Sequence, residues 1–216
     1  MRLIGAFISA ILVRGEMTLQ IEESLARHFP TAKPMPDMEY AAFDVMKSLG
    51  ANGVNTLLAE SSCPDELNHN NFGSDLFDMM GNRFGEVFHL GGLAGVPFTG
   101  AAGFNAFNHH VPKDGNIFVV YAPHVGITEQ GVVGKVHRPG QDHATSACGA
   151  SVGAYNFLKK DNNEAPVPDK FGHDFQEEFI ISELSSRMET ISAELDSNSV
   201  QAKLAHETFD IVKQVL

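Results

Sequence analysis

The segment Asn116–Ala122, Asn-Ile-Phe-Val-Val-Tyr-Ala, constrains this chain more than any other. It is apolar on both alternating faces, so a strand made from it must be covered on both sides. Such a strand belongs at the centre of a parallel sheet. Parallel neighbours need crossover connections, which are usually helical. The chain supplies both parts. Residues 54–59 read as a strand that runs into Glu60-Ser-Ser-Cys63. Residues 86–90 read as a short strand, and 131–137 as one arm of a hairpin that comes after 126–130. Helical stretches over 74–82, 100–110 and 149–160 lie among them. The expected fold class is α/β, with a mainly parallel central sheet flanked by helices.

Further helices are expected at both ends. Leu19, Ile21, Leu25 and Phe29 share a helical stripe that starts near Thr18. The proline-containing stretch 31–36 breaks it. Asp37 caps a second helix that turns Tyr40, Phe43, Val45 and Met46 inward and stops at Gly50. After a loop over 161–172, Phe175, Phe179, Leu184, Met188, Ile191 and Leu195 form one stripe. Beyond a break at 196–199, Val200, Leu204, Val212 and Val215 form another. At 216 residues, with no internal repeat, one domain over 1–216 is expected, its core at about 40–160 and its helical extensions at 17–50 and 174–216. The start, Met1-Arg2 and an apolar run over 3–13, resembles a short signal sequence. The run is too short to span a bilayer, and no small-x-small site comes after it. The expectation there is an N-terminal helix or the remnant of a transit segment.

Charge narrows the partners. The chain has 15 Lys plus Arg against 27 Asp plus Glu, a formal charge of −12. That balance speaks against a nucleic-acid backbone and against an anionic membrane surface. The composition is otherwise that of an ordinary soluble domain except for 10 His beside only 2 Cys. Seven of those histidines lie between residues 69 and 143.

In an open α/β sheet, function collects in the loops after the carboxyl ends of strands. Cys63 lies just after the strand at 54–59, His124 just after 116–122, and Cys148 precedes a small-residue helix start. Two thiolates and one imidazole leave a fourth tetrahedral position for water, the arrangement of a catalytic zinc. The alternatives stay open on spacing alone: two buried apolar thiols, a disulfide, or His109 or His110 as the imidazole in place of His124. His69, His89 and His143 read as surface or supporting residues. Asp65, two residues after Cys63, sits where a helix N-terminus favours a carboxylate. Its cationic partner is expected to be Arg138, with Arg83 in reserve. The glycine-rich stretch 91–103 lacks both the phosphate-loop and the dinucleotide patterns. It reads as a close-approach loop lining an apolar pocket or a subunit seam, with Leu93, Val96 and Phe98 as the pocket wall. Neither His-x-Glu with Pro-Cys-x-x-Cys nor His-Glu-x-x-His occurs, which weakens a zinc deaminase or hydrolase reading.

Six motifs in order carry a family resemblance. They are Cys63-Pro-Asp-Glu-Leu-Asn68, Leu90-Gly-Gly-Leu-Ala-Gly-Val-Pro-Phe-Thr-Gly100, His109-His-Val-Pro112, Tyr121-Ala-Pro-His-Val-Gly126, Gly131-Val-Val-Gly-Lys-Val136 and Ala147-Cys-Gly149. Together they resemble the limiting-CO2-inducible protein B/C family, a branch of β-type carbonic anhydrases, over about residues 40–160. The resemblance implies one zinc per chain on Cys63, His124 and Cys148. It implies reversible CO2 hydration to bicarbonate in inorganic-carbon concentration, and a homodimer or higher oligomer. It also implies that Asp65 pairs with an arginine and holds the nucleophilic water. The β-type arginine two residues further on is absent, because Leu67 stands there, so Arg138 is the substitute. The β-type His-x-x-Cys spacing is stretched to 24 residues, which a hairpin over 126–137 would fill. His109, His110 and His143 are the proton-relay candidates, with His110 preferred. A catalytically inactive zinc-containing scaffold or a CO2/bicarbonate-binding subunit is the rival reading. The compartment stays open: chloroplast or another organelle for an algal chain, otherwise the cytoplasm.

Overall fold

The structure is a computed structural model that describes residues 2–6, 17–68, 76–160 and 174–215. These divide into two compact units, one holding 2–6 and 33–122, the other 17–32 and 123–215. His69, the loop over 161–172 and most of the apolar run 3–13 lie outside the described residues.

The first unit is built on four parallel strands, β1 (Arg2–Ala6), β2 (Thr56–Ser62), β3 (Phe88–His89) and β4 (Asn116–Ala122), in the order β1-β4-β2-β3. All seven residues of β4 are buried, as its unbroken apolar run demands. The start of the chain pairs with it in register from Arg2↔Asn116 to Ala6↔Val120. This part of the run is therefore a strand rather than the expected helix, because β4 has a second edge to fill. Of the helices, α1 (Leu19–His28) belongs to the second unit. Helices α2 (Met35–Ser48), α3 (Leu76–Phe84) and α4 (Gly100–His110) belong to the first.

The two faces of the sheet are covered separately. Leu58, Phe118 and Val120 pack with Ala42 and Met46 of α2 and with Met80 and Phe84 of α3. Phe84 lies 5.9 Å from Phe118 between ring centres. Phe88 is paired with Ala59, so it points to the opposite face from Leu58. There Phe107 of α4 stacks on it at 5.2 Å. Helix α2 starts earlier than Asp37, with Pro34 at its N-cap. The glycine at its end is confirmed, since Gly50 adopts φ 74° just past the C-cap. Of the four side chains expected inward, Met46 and Phe43 are, but Tyr40 is 68% exposed and Val45 51%. Helix α2 buries a narrower stripe than its apolar residues suggest, and Ala42 takes the inner position.

Strand β2 begins and ends later than the apolar run. The Asn52 carboxamide accepts the amides of Val54 and Asn55, a turn that leaves Val54 88% exposed. The strand then continues through Glu60, Ser61 and Ser62, all buried. Partners make that possible. The Ser61 hydroxyl donates to the Gly95 carbonyl at 2.8 Å, and His89 Nδ1 donates to Glu60 Oε1 at 2.6 Å.

The second unit packs α1 and a hairpin against C-terminal helices. The Thr18 hydroxyl accepts the Ile21 amide, the expected cap of α1. The expected arm over 131–137 is met in part: Val133 bridges Ile127 across the 126–130 turn, while β5 (Lys135–Val136) runs antiparallel to the later β6 (Thr145–Ser146). Helices α5 (Gly149–Lys159), α6 (Phe175–Ser185), α7 (Met188–Ser192) and α8 (Ser197–Val215) complete the unit. Ile21, Phe29, Ile127, Val133 and Ala202 form a core cluster. The expected stripe from Phe175 to Leu195 is corrected. The helix breaks at Ser186-Arg187, so its two halves set their own faces. Ile180, Ile181, Leu184 and Ile191 are buried, while Phe175 is 79% exposed and Leu195 fully so. In α8 the buried stripe is Ala202, Leu204, Thr208, Ile211 and Val212, and Val215 lies outside it. Among the described residues no helix is long and apolar enough to cross a membrane.

Phe118 is fully buried at the centre of the first core. Phe118→Ala should lower the unfolding free energy by about 3–5 kcal/mol, measured by urea titration. A loss below about 1 kcal/mol would contradict the packing described.

Candidate metal site

The pairing of β2 with β4 runs to Ser62↔Ala122. Both strands leave the sheet there, one into Cys63 and the other into Pro123-His124. Parallel register therefore delivers a thiol and an imidazole to the same carboxyl edge. Gly91 lies against this edge with no room for a side chain, since a Cβ there would sit 2.2 Å from the Ser62 carbonyl oxygen. The close-approach reading of the glycine-rich stretch is thus borne out at Gly91.

Cys148 reaches His124 through the hairpin, not through short spacing. Ile127 bridges Val133, and the Thr128 amide donates to the Val132 carbonyl. The Gly134 amide donates to Gly126 O at 2.8 Å, and the Ala147 amide donates to Gly134 O at 2.9 Å. This ladder of three backbones sets Cys148, next to Ala147, beside His124, which lies two residues before Gly126. Gly126 must lack a side chain, because a Cβ would come 2.2 Å from Val136 Cγ1. Cys148 is also the N-cap of α5. The positive end of the helix dipole there favours a thiolate.

Cys63 Sγ, Cys148 Sγ and a ring nitrogen of His124 all lie within 4.8 Å of one another. Both cysteines are buried and neither is in a disulfide, which sets that alternative aside. His124 Nε2 is buried and has no hydrogen-bond partner among the described residues. An unpartnered buried nitrogen costs about 1–3 kcal/mol, and a metal ion would satisfy it. Two sulfurs and one imidazole are the donors that suit zinc. The residues fit a metal, and the three-residue group is a candidate site for one.

The other expected residues spread from the edge of the site to the surface. Asp65 is half-buried, and its Oδ1 accepts the Leu67 amide at 3.0 Å at the start of a 3-10 turn over Glu66–Asn68. Leu67 is buried. Arg138 grips the strand leading to Cys148. Its Nη1 donates to Thr145 Oγ1 at 2.7 Å and to the Ser146 carbonyl at 2.9 Å, and Nη2 reaches the Ala147 carbonyl at 3.5 Å. Arg83 is exposed and lies over the Phe43 ring, 4.3 Å from its centre. Val96 is buried, and Leu93 and Phe98 are half-buried. His109 and His110 are exposed at the end of α4, and His110 stands edge-on to Phe88 at 5.7 Å. His143 is exposed, whereas His89 holds the buried Glu60. Burial pushes the Tyr121 hydroxyl up to about 12, so it stays protonated at neutral pH. Sequence reasoning missed Ser151 and Thr208, two buried hydroxyls that line a small cavity with His124 and Cys148. The available signal was a serine one helical turn after a ligand-type cysteine.

Comparison with known proteins adds the lineage. The family model of limiting CO2-inducible proteins B/C beta carbonic anhydrases matches residues 32–214. No curated protein matches. The crystal structure of PtLCIB4, a homolog of the limiting CO2-inducible protein LCIB, is similar over 90% of this chain and 76% of that one, with TM-score 0.77 and 27% identity. The crystal structure of LCIB itself is similar in fold, with TM-score 0.61 and 22% identity over 88% of this chain and 77% of that one. A family model that spans nearly the whole chain, and a shared α/β fold, make this protein a member of the limiting-CO2-inducible protein B/C family of β-carbonic anhydrases.

Proposed function

We propose that this chain is a zinc-dependent carbonic anhydrase that interconverts CO2 and bicarbonate in inorganic-carbon concentration. One observation carries the reading: Cys63, His124 and Cys148 converge within 4.8 Å, and His124 Nε2 has no other partner among the described residues. Those three residues would hold one zinc per chain and leave one position open. The chemistry zinc supplies in such a site is acidification of water to a pKa of about 7, so that hydroxide is available at neutral pH.

The chain's own residues supply the rest. The Asp65 carboxylate, whose Oδ1 accepts the Leu67 amide, would orient the water in this reading. Arg138 braces residues 145–147, the run just before Cys148, and in this reading its charge would also balance the Asp65 carboxylate. Leu93, Val96 and Phe98 form the apolar wall for an uncharged substrate. His110, exposed at its helix end, passes protons to solvent. The working form is at least a homodimer, as the resemblance to β-type enzymes implies.

A second reading has its own observation. Leu67 is buried and apolar where β-type enzymes carry the arginine that pairs with the aspartate. This favours a zinc-containing scaffold or CO2/bicarbonate-binding subunit without catalysis. Stopped-flow CO2 hydration separates the two. Zinc-loaded protein should raise the rate well above buffer, and a rate equal to buffer would leave only the scaffold.

Two further outcomes test the residues. His124→Ala should lose zinc and activity together, by metal analysis and stopped flow, while His110→Ala keeps zinc and slows turnover only in weak buffer. Zinc retained by His124→Ala would sink the site. Arg138→Ala should lower kcat/KM by about 100-fold, whereas Arg83→Ala should leave it unchanged. Equal effects from the two would remove Arg138 from its role.

A further inference from the structure

Behind Cys148 stands a line of buried hydroxyls that the proposed reaction does not use. Ser151 Oγ is 3.4 Å from Cys148 Sγ. Thr208 Oγ1, from α8, is 3.1 Å from Ser151 Oγ and 2.8 Å from the Leu204 carbonyl oxygen. Ser151 and Thr208 are each 4% exposed, so water does not compete for these contacts. Two hydroxyl protons must serve three contacts.

The arrangement has two self-consistent directions. With a free thiol, S–H donates to Ser151, Ser151 to Thr208, and Thr208 to Leu204 O. Every donor then has one acceptor. A thiolate ligating a metal has no proton and only accepts. The Ser151 hydroxyl must then turn toward Sγ, where the charged acceptor makes the stronger bond. Ser151 Oγ is thereby open as an acceptor, and the Thr208 hydroxyl swings to it from Leu204 O. That carbonyl loses little, because it is also the acceptor in the backbone ladder of α8. A threonine hydroxyl returned to the carbonyl four residues back is a common helical habit. The second contact, to Ser151, is what that habit does not explain.

We propose that Ser151 and Thr208 are positioning residues for the metal ligand Cys148, with Ser151 donating to the thiolate and Thr208 holding Ser151 in that direction. This rests on the metal reading above. A donor on the thiolate draws charge from the sulfur, which fixes its orientation and sharpens the Lewis acidity of the ion it holds. It also ties the ligand to α8, a helix that contributes no ligand of its own.

The test uses the full chain loaded with Co2+ in place of zinc. The sulfur-to-cobalt charge-transfer band reports electron density on the thiolates, which a merely structural hydroxyl would not move. Ser151→Ala should shift that band to longer wavelength and raise the zinc dissociation constant about 10–100-fold, measured by chelator competition. Thr208→Val, nearly isosteric, should shift the band less in the same direction. Thr208→Ser should match the parent. Thermal melts by circular dichroism confirm that each variant is folded, and Thr208→Val stands alone as the test if Ser151→Ala does not fold. A folded Thr208→Val or Ser151→Ala that binds Co2+ with an unshifted band and unchanged zinc affinity overturns the inference and leaves the metal site intact. A parent chain that takes up neither Co2+ nor zinc overturns both.

Discussion

The in-register parallel pairing of β2 with β4 is the constraint on which the rest depends. Two strands that stay in step to their last residues must release their chains at one edge. The first residues beyond each strand then meet by position alone. Slipping the register by one residue would invert every side chain of β2. Phe118 and Leu58 would part, and the thiol and imidazole would leave the sheet at different heights. The apolar cluster under α2 and α3 therefore does more than stabilise the sheet, because it locks the register in which β2 and β4 end together.

The second sulfur is delivered by different means. A short His-x-x-Cys spacing would use one turn of chain to place both ligands. Here 24 residues separate His124 from Cys148, and backbone hydrogen bonds from Gly126 to Gly134 to Ala147 perform the same task. This works because the first glycine of the ladder accepts strands at a distance no side chain would permit. Arg138 reinforces the far end by crossing to the opposite strand, and the dipole of α5 meets the sulfur at its N-cap.

Much of this was legible in sequence, and the reasons are local. β4 is apolar on both faces, so its place could be read directly. Helices α4 and α5 match their expected stretches closely, because glycine and histidine or lysine mark their ends. The candidate ligand set was only partly legible, because two cysteines and a histidine each came just after a strand or opened a helix, while the choice of His124 over His109 or His110 rested on the family resemblance. Other features depended on tertiary partners. Glu60, Ser61 and Ser62 look like a loop, and it takes their pairing with β4 and the side-chain partners His89 and Gly95 to make them a buried strand. Residues 2–6 look like a helix or a leader until β4 offers them an edge. Tyr40, Val45, Phe175 and Leu195 have the right residue type for a core and the wrong phase. Thr208 was unreadable because its role needs α8 packed on α5, a contact between residues far apart in the chain.

The hydrogen-bonded ladder has one last consequence, for how such a chain can vary. Its rungs fix residues 126–134 and 145–147, while residues 139–144 merely connect β5 to β6 and are largely exposed. Loops of that kind tolerate changes in length far better than the elements they join. The distance along the chain between the histidine and the second cysteine is thus decoupled from their distance in space. A chain built on this plan is free to lengthen, shorten or decorate that connection while the geometry of the candidate site stays unchanged.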